Sequence, residues 1–300
     1  MRKDPVEKIR LSEQVEVSVV IPHFYEGRNE NLERLLDGLR GQTFRELEVI
    51  LVHGVSPQGK AINEGVRVAE GKVLVVMDDD SRTGHPEMIE NLVRTLRDDP
   101  RIAMAGASIL SPPDANGFQQ RAARQFPRFQ MPVVEAVLES DLPCHGCVAF
   151  RKEVFIKVGM EREDIPRGLD PDLRVRLRKA GYRVVLAPQT WAYHPLPDSL
   201  AKFVKLFYRN GRGSAYLQRV RPDLSYDTDE SLASGSFVPK HSLIYRMLRY
   251  PLRLAQALVT FQWIRFLGYT VYLFGYFMGL LQFILFKDNK DKLRVKEALL

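Results

Sequence analysis

The stretch Val73-Leu-Val-Val-Met-Asp-Asp-Asp80 joins an apolar run to three consecutive aspartates. An unbroken run of β-branched and aliphatic residues predicts a strand that is buried on both faces, as in a sheet covered by helices. The carboxylates must then emerge at the carboxyl end of this strand, which is the edge where open α/β sheets bind ligands. Oxygen ligands crowded together suit Mg²⁺ or Mn²⁺. A solvated acidic turn is the alternative, but the buried strand before it favours a metal site.

The composition predicts a globular catalytic unit with an appendage. A length of 300 residues allows one large or two modest domains, and 45% hydrophobic and 27% charged residues are ordinary for a soluble protein. Cys144 and Cys147 lack the second ligand pair of a zinc site, which leaves a redox role or two small buried residues beside a strand. The segment from Met1 to Glu16 lacks the apolar core of a secretory signal, so we expect the catalytic part to stay in the cytoplasm.

A basic segment precedes a long apolar one. The chain from Ala201 to Arg253 carries ten Lys or Arg against four acidic residues, and the 21 residues from Phe266 to Phe286 carry no charge. As a helix, the apolar segment would extend about 31 Å, close to the thickness of the hydrocarbon core of a bilayer. This order fits anionic lipid headgroups better than nucleic acid, so we expect a membrane partner and no nucleic-acid partner. A helix lying in the membrane interface and a buried core helix are the alternatives to a membrane span.

The first two hundred residues alternate predicted strands and helices, which indicates an α/β fold with a mostly parallel sheet flanked by helices. The predicted strands are Val17–Ile21, stopped by Pro22, then Leu47–Val52, Val73–Met77 and Ile102–Ala107, and the predicted helices lie around Leu32–Leu39, Ala61–Ala69 and Met88–Leu96. The stretch after Ser111, through Pro132, is rich in Pro, Arg and Gln. Its length predicts an irregular binding loop or lid.

Several motifs along the chain occur in an order that resembles family 2 glycosyltransferases, from about Val17 to His194. They are Val17-Ser-Val-Val-Ile-Pro22, the Leu-rich helix, Gln42-Thr43-Phe44, Leu47-Glu-Val-Ile50, Lys60-Ala-Ile-Asn63-Glu-Gly65, Val73-Leu-Val-Val-Met-Asp78-Asp-Asp80, Gly146-Cys-Val-Ala-Phe-Arg151-Lys-Glu153 and Asp170-Pro-Asp172 with the basic helix after it. The resemblance implies the GT-A fold and the transfer of a sugar from a nucleotide-diphosphate sugar.

The same resemblance implies roles for single residues. Asp78 and Asp80 match the family's DxD, whose carboxylates hold Mn²⁺ or Mg²⁺ against the donor diphosphate, and His194 fits a further metal ligand. Asp79 is expected to face the donor sugar or ribose. Asp170 matches the catalytic base that removes the proton of the acceptor hydroxyl. The remaining residues that the resemblance places on the donor are Pro22, Phe24, Glu26, His53, Lys60 and Asn63, of which the last two contact the nucleotide or stabilise the loop beside it.

Structural alternatives apply to the acids near Asp170. Asp170 can serve as a helix N-cap with Pro171 at the first helical position. Asp172 would then lie in the first turn, where an acid interacts favourably with the helix dipole, and we expect it to give structural support.

Three departures from the family pattern bear on specificity. His53 and Gly54 replace a pair of acids, the first of which reads the uracil ring, so base recognition must differ in detail. Leu169 replaces the Glu that usually precedes the catalytic Asp. The segment from Tyr208 to Gly213 matches the Gln-x-x-Arg-Trp motif of processive enzymes only in part, which favours transfer of a single sugar.

The sequence thus predicts a membrane-associated, inverting and metal-dependent glycosyltransferase. Its donor is a UDP- or GDP-sugar, and its acceptor is a hydroxyl of a lipid-linked or membrane-proximal glycan. A polyprenyl-phosphate acceptor, a nucleotidyltransferase and a non-catalytic membrane scaffold are the alternatives. The predicted regions are an N-terminal segment (1–15), the GT-A domain (16–200), a basic helical or linker region (201–242) and membrane-associated helices (243–300, candidate span 266–286).

Overall fold

The structure, a computed structural model, describes residues 5–24, 29–126, 129–165, 167–220, 224 and 241–285. The chain divides into two compact units. The first contains the chain up to Leu110 together with Met131–His194, and the second contains Ser111–Gln130 and most of the chain from Pro195 onward. The domain boundaries expected from the sequence stay predictions.

The elements are numbered in chain order within the described residues. The strands are β1 (Val6–Arg10), β2 (Val17–His23), β3 (Leu47–His53), β4 (Val73–Val76), β5 (Arg82–Thr83), β6 (Ile102–Leu110), β7 (Leu138–Glu139), β8 (Val148–Arg151) and β9 (Arg183–Tyr193). The helices are α1 (Asn29–Arg40), α2 (Gln58–Val68), α3 (Met88–Asp98), α4 (Gly117–Gln125), α5 (Lys152–Lys157), α6 (Leu169–Lys179), α7 (Leu200–Val220), α8 (Leu243–Val259) and α9 (Trp263–Leu285).

The first unit is built on one sheet with the strand order β1-β3-β2-β4-β8-β6-β9-β5, and β7 pairs with β9. The pairs β2–β3, β2–β4 and β6–β9 are parallel, as the alternation of elements predicts. Strand β8 lies between β4 and β6 and runs antiparallel to both, so the sheet is mixed rather than mostly parallel. The apolar residues of β8 indicate burial but carry no information about strand direction.

The interior position of β4 is confirmed. Leu74, Val75 and Val76 have no exposed surface, and Val73 is 8% exposed. Residues of α2, α5 and α6 share one hydrophobic core with β2, β3, β4 and β8. This burial fixes the strand, and the aspartates that follow it are therefore held at the edge of the sheet.

The predicted end of the first strand, at Pro22, is wrong. Strand β2 continues through Pro22 to His23, and Pro22 is paired in register with Val52. Val20, paired with Val76, is the last residue of β2 that pairs with β4. Pro22 therefore has no strand beside it on the β4 side, and its missing N–H is tolerated.

The stretch expected to be irregular, 112–132, contains α4 in the second unit. The Asn116 side chain accepts hydrogen bonds from the backbone N–H groups of Phe118 and Gln119, and the Gln119 side chain accepts one from the Asn116 N–H in return. This capping box was a readable helix signal that the overall composition obscured.

The second unit contains the three C-terminal helices. Helices α7 and α9 pack very closely. A Cβ at Gly275 would meet the Tyr208 carbonyl, and one at Gly279 would lie 2.8 Å from Ala215 Cβ. The small-residue pair Gly275-x-x-x-Gly279 therefore allows close helix packing. Among the described residues, one helical segment, Trp263–Gln282, is long and apolar enough to cross a membrane by its length and composition. Phe286, the end of the predicted span, lies outside the described residues.

Candidate active site

Three side chains that the resemblance names as metal ligands converge in the first unit. Asp78 and Asp80 follow β4, and His194 follows β9 directly. One ligand atom from each of the three residues lies within 4.8 Å of the other two. His194 Nε2 is 3.5 Å from Asp78 Oδ2 and 3.2 Å from Asp80 Oδ1.

The sheet explains this convergence. Strands β4 and β9 are separated by β8 and β6 in the strand order, so their ends are not neighbours. The short strand β5 bridges the gap because it follows the aspartates and pairs antiparallel with β9, with Arg82 opposite Tyr193. The chain is thereby led from Asp80 to the strand end that carries His194.

The electrostatics of the cluster favour a positive charge. Partial burial alone lowers the pKa of His194, but the charges of Asp80 and Asp78 and their hydrogen bonds outweigh it and raise the pKa well above the ordinary histidine value. Two carboxylates and an imidazole are also a ligand set that Mn²⁺ accepts. The residues present therefore fit a divalent cation.

Gln58, at the start of α2, is a residue of this site that the sequence analysis missed. Its Nε2 donates a hydrogen bond of 2.7 Å to Asp78 Oδ1. This contact fixes the carboxylate in orientation from outside the ligand set, as is common around metal ligands. Nothing in the local sequence distinguishes Gln58 from an ordinary first-turn residue, since its partner is distant along the chain.

The middle aspartate has a different environment. Asp79 is buried, and its Oδ2 lies 2.9 Å from Nδ1 of the buried His23. The His23 ring meets the His53 ring edge to face at a centroid distance of 5.6 Å. His53 Nε2 in turn lies 3.1 Å from Glu7 Oε2 on β1. The expected contact of Asp79 with the donor stays a prediction.

Asp170 lies in the first turn of α6 and is only partly buried. The helix begins at Leu169, and its N-cap is Gly168, which has a left-handed backbone with φ of 84° and makes no side-chain cap. The N-cap alternative for Asp170 is therefore wrong, because Gly168 provides the turn that starts the helix. Asp172 lies in the same first turn and pairs through Oδ2 with Arg176 Nε at 2.7 Å, which is the structural support expected of it.

His145 is the second residue that the sequence analysis missed. Its backbone N–H donates to Asp170 Oδ1 at 2.8 Å, and its Nδ1 lies 3.2 Å from the same oxygen. Its Nε2 lies 3.0 Å from Oε1 of the buried Glu161. Burial opposes the charged form, but Asp170 and Glu161 outweigh it and raise the pKa of His145 to about 9.

Asn63 supports the loop that carries Glu161. Its side chain accepts from the Glu161 N–H and donates to the Glu161 carbonyl and to Glu163 Oε1, all within 3.0 Å. Of the two roles expected for Asn63, the structure thus gives the loop-stabilising one. Lys60, one turn earlier on α2, is exposed.

The other predicted donor residues lie at the carboxyl ends of β2 and β3. Pro22 and His53 belong to these adjacent strands, and Phe24 follows β2 with 42% of its surface exposed. Glu26 lies outside the described residues. Of the two cysteines expected to be buried beside a strand, Cys147 is buried, and burial raises the pKa of its thiol, whereas Cys144 is only partly buried.

Comparison with known proteins identifies the family. Residues 10–213 match the family described as glycosyltransferase like family 2. The chain belongs to this family. This chain is also 24% identical over 198 residues to the amylovoran biosynthesis glycosyltransferase AmsE of Erwinia amylovora. The match covers 57% of this chain and 73% of AmsE.

A solved structure supports the fold of this family 2 glycosyltransferase. This chain is similar to the mannosyltransferase PcManGT from Pyrobaculum calidifontis, which was solved in complex with GDP-Man and Mn²⁺. The TM-score is 0.58 and the identity is 16%, over 93% of this chain and 91% of the other. The GT-A fold expected from the sequence is confirmed, and the chain is a glycosyltransferase. The nucleotidyltransferase and scaffold alternatives are thereby set aside.

Proposed function

We propose that this glycosyltransferase moves a sugar, with inversion, from a nucleotide-diphosphate sugar to a hydroxyl of a membrane-proximal glycan. The cluster of Asp78, Asp80 and His194 carries the proposal, because it offers two carboxylates and an imidazole to a cation at the sheet edge where α/β proteins bind ligands. Asp170 is assigned as the general base.

The donor side of the site consists of the cation ligands and the residues beside them. When bound, Mn²⁺ or Mg²⁺ would neutralise the charge that develops on the leaving nucleoside diphosphate. Gln58 holds Asp78 by a hydrogen bond of 2.7 Å and so keeps the ligand set aligned. The Mn²⁺ and GDP-Man bound to the similar mannosyltransferase support the same kinds of ligand here.

The acceptor side is assigned to Asp170, whose side chain is 25% exposed and can meet a substrate. Direct displacement at the anomeric carbon inverts its configuration and requires removal of the proton from an attacking hydroxyl. A carboxylate held in place at the edge of the site can accept that proton. A phosphate acceptor is already ionised and needs no base, so the defined environment of Asp170 favours a hydroxyl acceptor over a polyprenyl phosphate. The similarity to an amylovoran biosynthesis enzyme supports a glycan acceptor.

We further propose that the second unit attaches the enzyme to a membrane. Helix α8 exposes an apolar stripe at helical spacing, in which Ile244, Leu248, Leu252 and Val259 are 68–77% exposed. Arg246 lies on the other side of the helix and donates to Gln218 of α7 at 2.9 Å. A helix that turns its apolar side outward is the reverse of what water favours and fits a lipid surface.

Helix α9 shows the same arrangement. Trp263, Phe274, Phe277 and Leu281 lie on one side and are 47–60% exposed, while Gly275 is buried on the side that packs against α7. Helices α7, α8 and α9 together contain nine Lys or Arg and no Asp or Glu. Such charge favours the anionic cytoplasmic leaflet, which supports a catalytic unit on the cytoplasmic side.

Donor binding and transfer by the purified full-length protein test the proposal. We expect a UDP- or GDP-sugar to raise the Tm only with Mn²⁺ or Mg²⁺ present, and EDTA to abolish the shift. Transfer to a lipid-linked glycan but not to a bare polyprenyl phosphate would support the hydroxyl acceptor. Full transfer in excess EDTA, or transfer to the phosphate alone, would refute the cation site or the acceptor respectively.

A further inference from the structure

His145 occupies a position between two carboxylates that the reaction proposed above does not explain. Its Nδ1 is 3.2 Å from Asp170 Oδ1 and its Nε2 is 3.0 Å from Glu161 Oε1. An ionised carboxylate only accepts hydrogen bonds, and a neutral imidazole has only one N–H to donate. A positively charged His145 suits both neighbours, because Nε2 then donates to Glu161 while the charge at Nδ1 lies 3.2 Å from the Asp170 carboxylate.

Glu161 keeps His145 in this charged form. Its side chain has no exposed surface, and among the described residues its second oxygen, Oε2, has no hydrogen-bond partner. A buried carboxylate is costly unless a positive charge lies beside it, so Glu161 and His145 depend on each other. Asn63, on α2, binds both the N–H and the carbonyl of Glu161, which fixes the backbone that carries this carboxylate.

We propose that His145 is a positioning residue for Asp170. Its backbone N–H and its Nδ1 both contact Oδ1 of Asp170, which sets the rotation of the carboxylate. The positive charge also stabilises the ionised form of Asp170 before the acceptor arrives. The path Asn63–Glu161–His145–Asp170 thus connects α2 to the base on α6. The inference rests on the proposed role of Asp170.

The charges that act on His145 come mainly from carboxylates. Asp170 and Glu161 contact it, and Asp78 adds to the negative field. Arg174 of α6 approaches the same loop through the Pro143 carbonyl. Cys147, two residues away, is a neutral thiol because burial raises its pKa. We therefore expect His145 to lose its charge as the pH rises through about 9.

The test uses H145Q in the full-length protein, with H85Q as the matched control. His85 also pairs with a glutamate, at 3.1 Å from Glu87, and is no part of the proposed site. We expect kcat to fall about 10²-fold in H145Q, the scale of a misplaced catalytic group, while the Kd of the donor with Mn²⁺ stays unchanged. The wild type and H85Q should lose activity above pH about 9, and H145Q should lack this alkaline decline.

Double variants separate positioning from folding. If His145 acts through Asp170, then H145Q should have no further effect on transfer in the D170N background. An equal loss in both backgrounds, or a normal kcat and pH profile in H145Q, would overturn the inference. H145Q/E161Q removes the charge with its counter-charge and replaces H145Q if that variant does not fold. Full activity of D170N would refute the base itself, whereas inactive D170N with fully active H145Q would refute only the role of His145.

Discussion

Nδ1 of His23 lies 2.9 Å from Oδ2 of Asp79, whereas the aspartates on either side of Asp79 turn toward His194. The three consecutive acids therefore do not share one environment. Asp79 is held by a buried histidine, and Asp78 and Asp80 remain available to a cation. This separation avoids placing three carboxylates around one point, where like charges would repel each other.

The first prediction is that D80N abolishes cation-dependent donor binding without loss of fold. Removal of one of three ligands weakens the cation site, and the donor diphosphate then loses its main counter-charge. Isothermal titration with the preferred nucleotide-sugar and Mn²⁺ measures the loss, and the Tm reports the fold. D98N, at an exposed position at the end of α3, is the control. Normal donor binding by D80N would contradict the ligand assignment.

The second prediction concerns D170N, which keeps the shape of the side chain but cannot accept the proton. We expect transfer to fall by about 10²–10⁴-fold, the usual contribution of a general base. The affinity for the donor should not change, because Asp170 is assigned to the acceptor. Single-turnover transfer and donor titration separate these effects. A variant that loses stability yet transfers at the normal rate would show that Asp170 is structural and favour a phosphate acceptor.

The third prediction is a pH dependence of stability from His145. The pKa of His145 in the folded protein, about 9, lies above its ordinary value of 6.5. The corresponding stabilisation is fully present below pH about 6.5 and is lost as the pH rises through about 9. The free energy of unfolding, measured by urea titration, should therefore fall over this interval in the wild type.

The variant H145Q/E161Q supplies the comparison for this measurement. It lacks both the histidine charge and the buried glutamate charge, so the part of the slope that belongs to the pair should disappear. Contributions from groups that both proteins share cancel in the difference. An identical fall in the wild type and the double variant would show that His145 is not charged in the folded state.

The fourth prediction is that the apolar stripe of α8 binds membranes. Replacing Ile244, Leu248 and Leu252 by Gln removes three large aliphatic contacts, each contributing about 1.5–3 kcal/mol on full burial. We expect flotation with vesicles containing anionic lipid to be lost. The matched control replaces Val68, Val137 and Ile156, which are 37–49% exposed in the first unit. Flotation of the α8 variant at the wild-type level would place the attachment elsewhere.

The sequence predicted those parts of the fold and of the site that depend on residues close together along the chain. The buried run of β4 and the aspartates after it are contiguous, so both the strand and its acidic edge are visible. His194 was found only because the family pattern places a histidine there. The direction of β8 was not predicted, because pairing partners and strand direction depend on contacts distant along the chain.

Gln58, His145 and Glu161 show why the rest of the site was missed. Each reaches its partner across 16 to 25 residues of sequence. Each type is common outside functional sites, and no spacing rule connects these positions. What marks His145 is the combination of burial with two carboxylates, and this is a tertiary property.

The last prediction concerns the nucleotide base. His53 replaces the acid that reads uracil in many family members, and a neutral imidazole offers a weaker acceptor than a carboxylate for an imide N–H. Its Nε2 lies 3.1 Å from Glu7 Oε2, so His53 already has a partner on β1. We therefore expect weak discrimination among bases, with UDP marginally preferred and GDP its main rival.

The contact with Glu7 changes how this prediction is tested. H53D alone would bring two carboxylates together and add repulsion to any gain in recognition, so it must be combined with E7Q. We expect H53D/E7Q to sharpen the preference for UDP or GDP over ADP, and E7Q alone to leave it weak. Competition binding of the three nucleotides with Mn²⁺ measures this directly. The contrary result is that the wild type selects one base strictly and the double variant keeps that selection. Base recognition would then come from backbone groups or other side chains, and the residue at position 53 would not determine it.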